Sequence, residues 1–482
     1  MPRPTRQTGV VMKASPSVLI RAMSRRVRAI RAPKIDAAAL HAHLRATGAS
    51  DGLDDLAQAA SYGRYDLDRL LAALRGTKAD RVVRSLVPNV ARDLGMLLAD
   101  QGREDDGALM LEALIRVLGV RSVGKEGRFV SVELKLDAGD ATGLEYLLES
   151  RLIRRDDPAQ GDLVTANALN PFFDDARDQE PWLAALNAMF AVDDAEAIAI
   201  REGDDAPFDR IHAESPTVDG PLVTVIMPTF EPDARIRTAL ESLIAQSHRN
   251  LQILVMDDAS SPDAAARLDS WRSRDARIEV VHLPENNGPY LARNIAVSEH
   301  ARGAYVTVHD DDDWSHPRKI ERQVAHLEQN PDVVANMVNG VRASDDLVFG
   351  RVNGNPVWTQ QALSSLMVRR EVFDTIGYWD VVNRAGDSEF NDRIRSWTDA
   401  RIPIVGRVPL MLYRMRWGSL SDREFRRGYM APVRRAYFTA YRAWHQISRE
   451  RGEVPYIPFD DRGARPFEAP ADLVGPRSQN PS

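Results

Sequence analysis

Residues 304–317 read AYVTVHDDDDWSHP, and the fold turns on what this stretch joins. Tyr305–Val308 is a β-branched and aromatic run with strand composition. It stops at four consecutive carboxylates, Asp310, Asp311, Asp312 and Asp313. Adjacent anions repel one another, so the cluster needs water or a cation. Carboxylate oxygens suit Mg²⁺ or Mn²⁺, which favour octahedral oxygen shells. If the chain stays extended past the strand, Asp310 and Asp312 face one way and Asp311 and Asp313 the other. One pair then serves a metal while its neighbours serve something else. Taken alone, an acidic run is more often a hydrated loop; what precedes this one shifts the balance.

Upstream, strands alternate with helices. LVTVIM (Leu222–Met227), LQILVM (Leu251–Met256) and IEVVHL (Ile278–Leu283) are near-continuous apolar runs. Helical patterns follow them over residues 235–246, 264–272 and 290–301. Such strands between helices predict a parallel sheet covered on both faces, with right-handed crossovers placing every strand C-terminus along one edge. Each strand ends in ligand-competent residues: Pro228, Thr229, Phe230 and Glu231; then Asp257, Asp258, Ala259 and Ser260; then Glu285, Asn286, Asn287 and Gly288, with Arg293 and Asn294 behind; then the aspartates. Ligands of open α/β sheets bind outside that edge. No GxGxxG follows the first strand and no GxxxxGK[ST] occurs, which removes dinucleotide folds and Walker-type ATPases.

The remaining sequence divides by composition. Residues 1–35 form a basic arm, with nine Lys or Arg and no acid through Lys34. Leu19, Met23, Val27 and Ile30 fall at helical spacing there, the pattern of a helix lying on an anionic membrane surface, or of an ordinary docking helix. Residues 36–155 read as all-helical. Three helix–glycine–helix segments centre on Gly63, Gly102 and Gly139, loosely resembling a helical-hairpin repeat that would offer a protein-partner surface. Residues 156–220 read as a connecting segment with a helix over 180–190, residues 221–465 as the sheet domain, and residues 466–482 as a disordered tail. Among 482 residues there is no cysteine, so zinc–thiolate and cysteine-nucleophile chemistry are excluded. A net charge of −7 argues against nucleic-acid binding. No apolar run approaches the length of a membrane span. These features fit a cytoplasmic protein, with peripheral contact on the inner face of the plasma membrane if the arm binds lipid.

In order and spacing, PLVTVIMPTF, LVMDDAS, ENNGPYLARN and HDDDDW resemble the nucleotide-sugar half of glycosyltransferase family 2, over residues 221–420. The resemblance implies a GT-A fold, an α/β, mostly parallel sheet domain here preceded by an all-α region. It implies that Pro228, Thr229 and Glu231 line the nucleotide pocket, that Asp257 or Asp258 hydrogen-bonds the base, usually uracil, and that Arg293 approaches the diphosphate. Asn287 and Asp311 join the nucleotide-sugar contacts. Asp310 and Asp312 fill the D-x-D positions that hold the sugar diphosphate and the metal, Mn²⁺ or Mg²⁺. Two residues depart from the pattern: Glu231 stands where many members have Asn, and Ala259 where Gly is common. Further on, NRAGDSEFNDRIRSW matches the segment that usually carries Glu-Asp, with the Asp as catalytic base. The chain has Gly386-Asp387 there, then Glu389, so Asp387 is the first choice for the base and Glu389 the second. YRMRWGSLS (Tyr413–Ser421) resembles the family's closing segment beside the diphosphate, and residues 424–449 read as a basic, aromatic-rich helix, either a surface element or a packing helix.

The implied reaction is inverting transfer from a UDP-linked sugar to a hydroxyl of a glycan or lipid-linked glycan, in bacterial surface polysaccharide or glycoconjugate synthesis. It needs a metal to stabilise the leaving diphosphate and a base for the acceptor proton. His282, His309 and His316 are spare candidates, His316 being better suited to cap the helix that begins near Arg318. Two other readings compete: a metal-dependent nucleotidyltransferase on a similar sheet, and a helical scaffold with a decayed nucleotide-sugar domain.

Overall fold

The computed structural model describes residues 36–172, 178–351, 357–415, 425–426, 429–459 and 465–474. The basic arm and most of Tyr413–Ser421 lie outside the described residues. The chain forms two compact units that divide after Leu134.

The first unit is helical: α1 (Ala37–Thr47), α2 (Leu53–Ser61), α3 (Leu67–Arg75), α4 (Ala79–Val83), α5 (Pro88–Asp100), α6 (Glu104–Leu118) and the start of α7 (Gly124–Asp137). Asp36 and Asp66 cap α1 and α3 by accepting the N–H groups of Ala39 and Arg69. Leu56, Leu70, Leu94, Met110, Leu111 and Leu114 form a fully buried apolar core. The glycines of the expected hairpins, Gly63 and Gly102 here and Gly139 after α7, all hold positive φ between consecutive helices. Only glycine takes that geometry without strain.

The second unit continues with α8 (Ala141–Glu149), α9 (Leu152–Asp156), α10 (Pro158–Leu169) and α11 (Gln179–Ala191). Residues 156–220 are more than a connection. Asn167 donates to the Phe349 carbonyl (2.7 Å) and accepts its N–H (2.8 Å), and Gln160 accepts the Trp358 N–H (2.8 Å). A small hairpin of β1 (Ala199–Ile200) and β2 (Ile211–His212), with α12 (Pro207–Arg210) between, is fastened by Arg414, which binds Asp209 at 2.6 Å and Asp345 at 2.6 Å.

The main sheet has ten strands. Its first half is parallel, in the order β5 (Ile278–His282), β4 (Leu251–Asp257), β3 (Val223–Thr229), β6 (Tyr305–Val308). The crossovers are α13 (Ile236–Ile244), α14 (Pro262–Asp269) and α15 (Pro289–Ile295), the last ending in a π-helical turn over Ala296–His300. Beyond β6 the sheet becomes mixed. After β7 (Trp314–Ser315) and α16 (Arg318–Gln329) come β8 (Ala335–Ala343), β9 (Phe349–Gly350), β10 (Gln360–Gln361), β11 (Met367–Arg369), α17 (Val372–Ile376), α18 (Gly386–Thr398) and β12 (Ile404–Arg414). β11 lies antiparallel between β6 and β8, β8 runs parallel to β12, and β12 runs antiparallel to β7. The expected α/β fold with a helical region ahead of it is the fold observed.

Alternate residues of β3 feed two cores, as strand geometry requires. Val223, Val225 and Met227 pack with α13, α14 and α16, while Ile226 packs with α15, α17 and α18. β11 starts only at Met367, because Ser365 turns its hydroxyl to the Ala362 carbonyl and accepts the Val338 N–H. Two local expectations differ. The helix expected over 424–449 is α19 (Pro432–Glu450), opened by its proline and preceded by a short hairpin of β13 (Phe425–Arg426) and β14 (Tyr429–Met430). Its Tyr437 and Tyr441 are fully buried, so it is a packing helix. The tail expected to be disordered from 466 is ordered through α20 (Ala471–Val474), because Phe467 and Leu473 find apolar cover.

Candidate active site

The parallel register sets Thr229 beside Asp257 and Ile226 beside Val308, so the loops after β3, β4 and β6 leave the sheet together. Thr229 donates to Asp311 (2.5 Å), tying the first loop to the acidic one. Glu231 binds across to the second loop: its N–H meets the Ser260 hydroxyl (2.8 Å), and its carboxylate takes the Ser261 N–H (2.5 Å) and hydroxyl (3.0 Å). Glu231 and Ala259 have φ of 48° and 64°. The two departures from the family pattern therefore sit where the backbone is left-handed, the conformation that favours Asn and Gly. Pro228 lies within β3, one residue before Thr229.

Asp257 and Asp258 are buried and engaged. Asp257 accepts the Ser260 N–H (3.1 Å) and pairs with His282 Nδ1 (2.7 Å). That bond raises the proton affinity of His282 above its ordinary value, with Asp269 adding to the effect. Asp258 accepts the N–H groups of Asn287 (2.9 Å) and Gly288 (2.8 Å). All four oxygens thus hold the loops after β4 and β5, and Asn287 is fixed through its backbone.

The acidic run does not stay extended. It turns at Asp311–Asp312, and the expected two-and-two division gives way to four different surroundings. Asp310 meets Arg293 (3.1 Å), which is buried, stacks on the Tyr290 ring and keeps Nε without a partner among the described residues. Asp311 meets Thr229. Asp312 lies in the field of Arg235. Asp313 bends inward: one oxygen accepts the Arg414 N–H (3.0 Å), and the other has no hydrogen-bond partner among the described residues. Burial and the neighbouring carboxylates push Asp313 well above the usual carboxylate range. Beneath the run, the fully buried Lys319 is pulled down to about 8 by burial, against the attraction of Asp313 and Asp310.

Asp387 completes the arrangement from the other side. It lies in the first turn of α18, half-buried, with Oδ1 on the Ser388 N–H (2.8 Å). It is not the helix cap, since Ala385 takes that position with φ of 71°. Asp310 is raised by burial and by the charge of Asp387, against Arg293; because 42% of its side chain is open to solvent, water damps each of these effects. Tyr290 lies below, and burial together with the charge of Asp387 raises its proton affinity. A Cβ on Gly386 would stand 3.1 Å from that ring and 3.0 Å from the Asp380 carbonyl, which explains glycine where the family pattern has Glu.

Glu389, the second choice for the base, is not at the site. It is fully buried, with Arg393 at 2.9 Å on one oxygen and His445 at 3.0 Å on the other. Helical geometry accounts for this: two residues after Asp387, it points into the core. His309 is buried between the Asp310 carbonyl (2.7 Å) and the Ser315 hydroxyl (2.9 Å), and burial lowers it to about 3, so it stays neutral. His316 accepts the Arg318 N–H (3.2 Å) at the start of α16. The sequence marks Tyr413 only as the start of the closing segment and gives Ser364 no role at the site. The buried Ser364 hydroxyl donates to Met411 Sδ (3.7 Å) and lies beside Asp310 and the Tyr413 phenol, which burial and the nearby Asp313, Asp310 and Asp387 push upward. Topology alone brings Ser364 here, and no local pattern marks it.

The carboxylates are hard oxygen donors without sulfur or imidazole among them, a set that fits Mg²⁺ or Mn²⁺. Among the described residues no group of three His, Asp or Glu side chains is assembled as a closed metal cage. One or two carboxylates, with substrate phosphates and water, suffice for these ions.

The profile of the family described as "Glycosyl transferase family 2" matches residues 224–380. An uncharacterized glycosyltransferase of Haemophilus influenzae is 32% identical over 110 residues, 23% of this chain and 44% of its own. A Bacillus subtilis protein provisionally named a teichuronic acid biosynthesis glycosyltransferase is 38% identical over 107 residues, 22% of this chain and 42% of its own. The chain thus spans less than half the length of these relatives. Among solved structures, a Pyrobaculum calidifontis mannosyltransferase in complex with GDP-Man and Mn²⁺ aligns over 49% of this chain and 67% of its own, at 19% identity and a TM-score of 0.36. Over residues 224–380 the chain is similar to glycosyltransferase family 2.

Proposed function

We propose that the chain transfers a sugar from a UDP-linked donor to a hydroxyl acceptor, inverting the anomeric carbon. One observation carries this reading: the parallel register brings the ends of β3 and β6 together, where Thr229 meets Asp311 (2.5 Å) and the buried Arg293 meets Asp310 (3.1 Å). A donor diphosphate then lies along the ends of β3, β4 and β6. Asp310 and Asp312 would hold a divalent ion, which when bound supplies Lewis-acid stabilisation of the leaving diphosphate. Arg293 adds a fixed guanidinium whose free Nε is available to a phosphate oxygen. Thr229 and Glu231 shape the nucleoside side, and Asp258 does so indirectly by holding Asn287 and Gly288.

Asp387 approaches from the face opposite the leaving group and takes the acceptor hydroxyl proton. A single carboxylate placed this way gives direct displacement, and hence inversion, through an oxocarbenium-like transition state. Three other carboxylates near the site are occupied: Glu389 by Arg393 and His445, Asp257 by His282, and Asp258 by two N–H groups. The acceptor we favour is a glycan or lipid-linked glycan of a bacterial surface polymer, supported by what the Bacillus subtilis relative is named for. Peripheral contact with an anionic membrane through residues 1–34 goes with such an acceptor. No helix among the described residues is long and apolar enough to cross a membrane.

The nucleotidyltransferase alternative needs a Gly- and Arg/Lys-rich phosphate loop after the first strand. Glu231 there spends its carboxylate on Ser261, which disfavours it. Release of UDP from a panel of UDP-sugars with Mn²⁺ tests the proposal, water replacing the acceptor. We expect metal-dependent release from one donor or a few; no release from any donor would overturn the reading.

A further inference from the structure

The family profile ends at residue 380, short of Asp387. The chain from Ile376 to Asn383, on either side of that end, is held from outside the match, stitch by stitch. Ile457 accepts the Tyr378 N–H (2.8 Å) and donates its own to Ile376 (3.1 Å). Arg465 binds the Asp380 carboxylate (2.7 Å) and the Val381 carbonyl (2.5 Å). Leu473 accepts the Asn383 N–H (2.8 Å), and the Asp472 carbonyl accepts the Asn383 side-chain amide (2.8 Å). Asp380 is also held by the buried Tyr437 hydroxyl (2.8 Å). One turn into α18, His445 of α19 reaches Glu389 (3.0 Å). The contact is close enough to dictate sequence: Gly377 has φ of 77°, and a Cβ there would lie 1.9 Å from the Ile457 carbonyl oxygen.

We propose that α19, Ile457 and the segment 465–473 act as a strap that fixes the height of Asp387 above Asp310, with His445 and Arg465 as positioning residues. This rests on the transferase reading above. The contacts named above all fall between Ile376 and Glu389, and none of them is on the loops after β3, β4 and β6, so donor binding and base placement are set by separate parts of the chain. A base displaced by about 1 Å can lose on the order of 100-fold in turnover, whereas the diphosphate contacts at Arg293 and Asp310 stay as they are.

The test uses the full chain. Arg465→Met and His445→Leu should each lower the kcat of Mn²⁺-dependent UDP release roughly 10- to 100-fold, with the donor KM nearly unchanged. His445→Gln, which still donates to Glu389, should recover most of the loss. Joined to Asp387→Asn, neither strap substitution should lower kcat further, because there is no base left to misplace. Equal losses with and without Asp387 would overturn the proposal, as would a donor KM that rises with the kcat loss. Backbone hydrogen exchange decides independently of activity. The first turn of α18 should exchange faster in Arg465→Met while β3 and β4 do not change; unaltered exchange there would overturn the strap. Should the unsubstituted chain release no UDP from any donor, the transferase reading fails, and exchange alone supports or overturns the strap.

Discussion

The two sides of the proposed active site are built by different means. The donor side is local: β3, β4 and β6 lie in parallel register, and each loop leaves its strand within a residue or two of the groups it presents. Its polar residues mostly bind one another, as Thr229 binds Asp311 and Glu231 binds Ser261. The base side is remote. Asp387 rests on α18, whose approach is fastened by Arg465, Asp472 and Leu473 from some 80 residues further along the chain. A strand end inherits its position from the sheet, whereas a helix head must have its position imposed. Losses on the donor side should therefore appear as lost ligand affinity, and losses on the base side as lost turnover or stability.

The largest effect that separates the sides is removal of donor-side carboxylates. Asp310→Ala and Asp312→Ala should each abolish metal-dependent UDP release. Asp312→Ala only thins a crowd of like charges, so its Tm should stay close to that of the parent, whereas Asp310→Ala also leaves the buried Arg293 without its counter-charge and should lower it. Calorimetric titration with Mn²⁺ alone checks the assignment, and parental metal affinity in Asp312→Ala would end it.

Next comes the buried joint of the base side. Glu389→Gln leaves the fully buried Arg393 without its counter-charge. The expected cost is about 3–5 kcal/mol of stability, read by urea unfolding, with turnover of the folded protein nearly retained. Full stability with lost turnover would instead make Glu389 the base.

The smallest effect belongs to the donor side. His282 has its pKa raised by Asp257, so the pair stabilises the folded state fully below the unfolded value of about 6.5. That contribution is lost as pH rises through the higher folded value. Because the ring is one-third exposed, the effect should be modest. His282→Gln should flatten the stability–pH curve over that window and lower it by a constant amount just below it. An unchanged slope above pH 6.5 would mean the pair stores nothing.

The same contrast governs what the sequence reveals. Tyr305–Val308 appears in the structure with the bounds its composition predicts, and the other parallel strands agree to within two residues, because apolar runs between helices admit few alternatives. Thr229, Asp310, Asp311 and Arg293 converge because the sheet gathers strand ends. The acidic run was misjudged in detail: period-two alternation presumes extended backbone, and Asp313 turns inward to Arg414 instead. Glu389 looked interchangeable with Asp387 in one dimension, yet two residues along a helix reverse the direction a side chain faces. Ser364 and the strap carry no local signature, since their partners lie far away in sequence. Positive φ at Glu231 and Ala259 shows the reverse case, in which a departure from a pattern marks a backbone constraint that the pattern recorded.

The central claim is that Asp387 removes the acceptor proton, and one substitution tests it most directly. Asp387→Asn preserves size and keeps a group able to accept the Ser388 N–H, but it cannot take a proton from a hydroxyl. UDP release should fall by roughly 10²–10⁴, with UDP and Mn²⁺ binding close to parental. Ala385, not Asp387, occupies the cap position, so stability should barely change. Turnover within a few-fold of the parent would contradict the account and remove Asp387 from the chemistry.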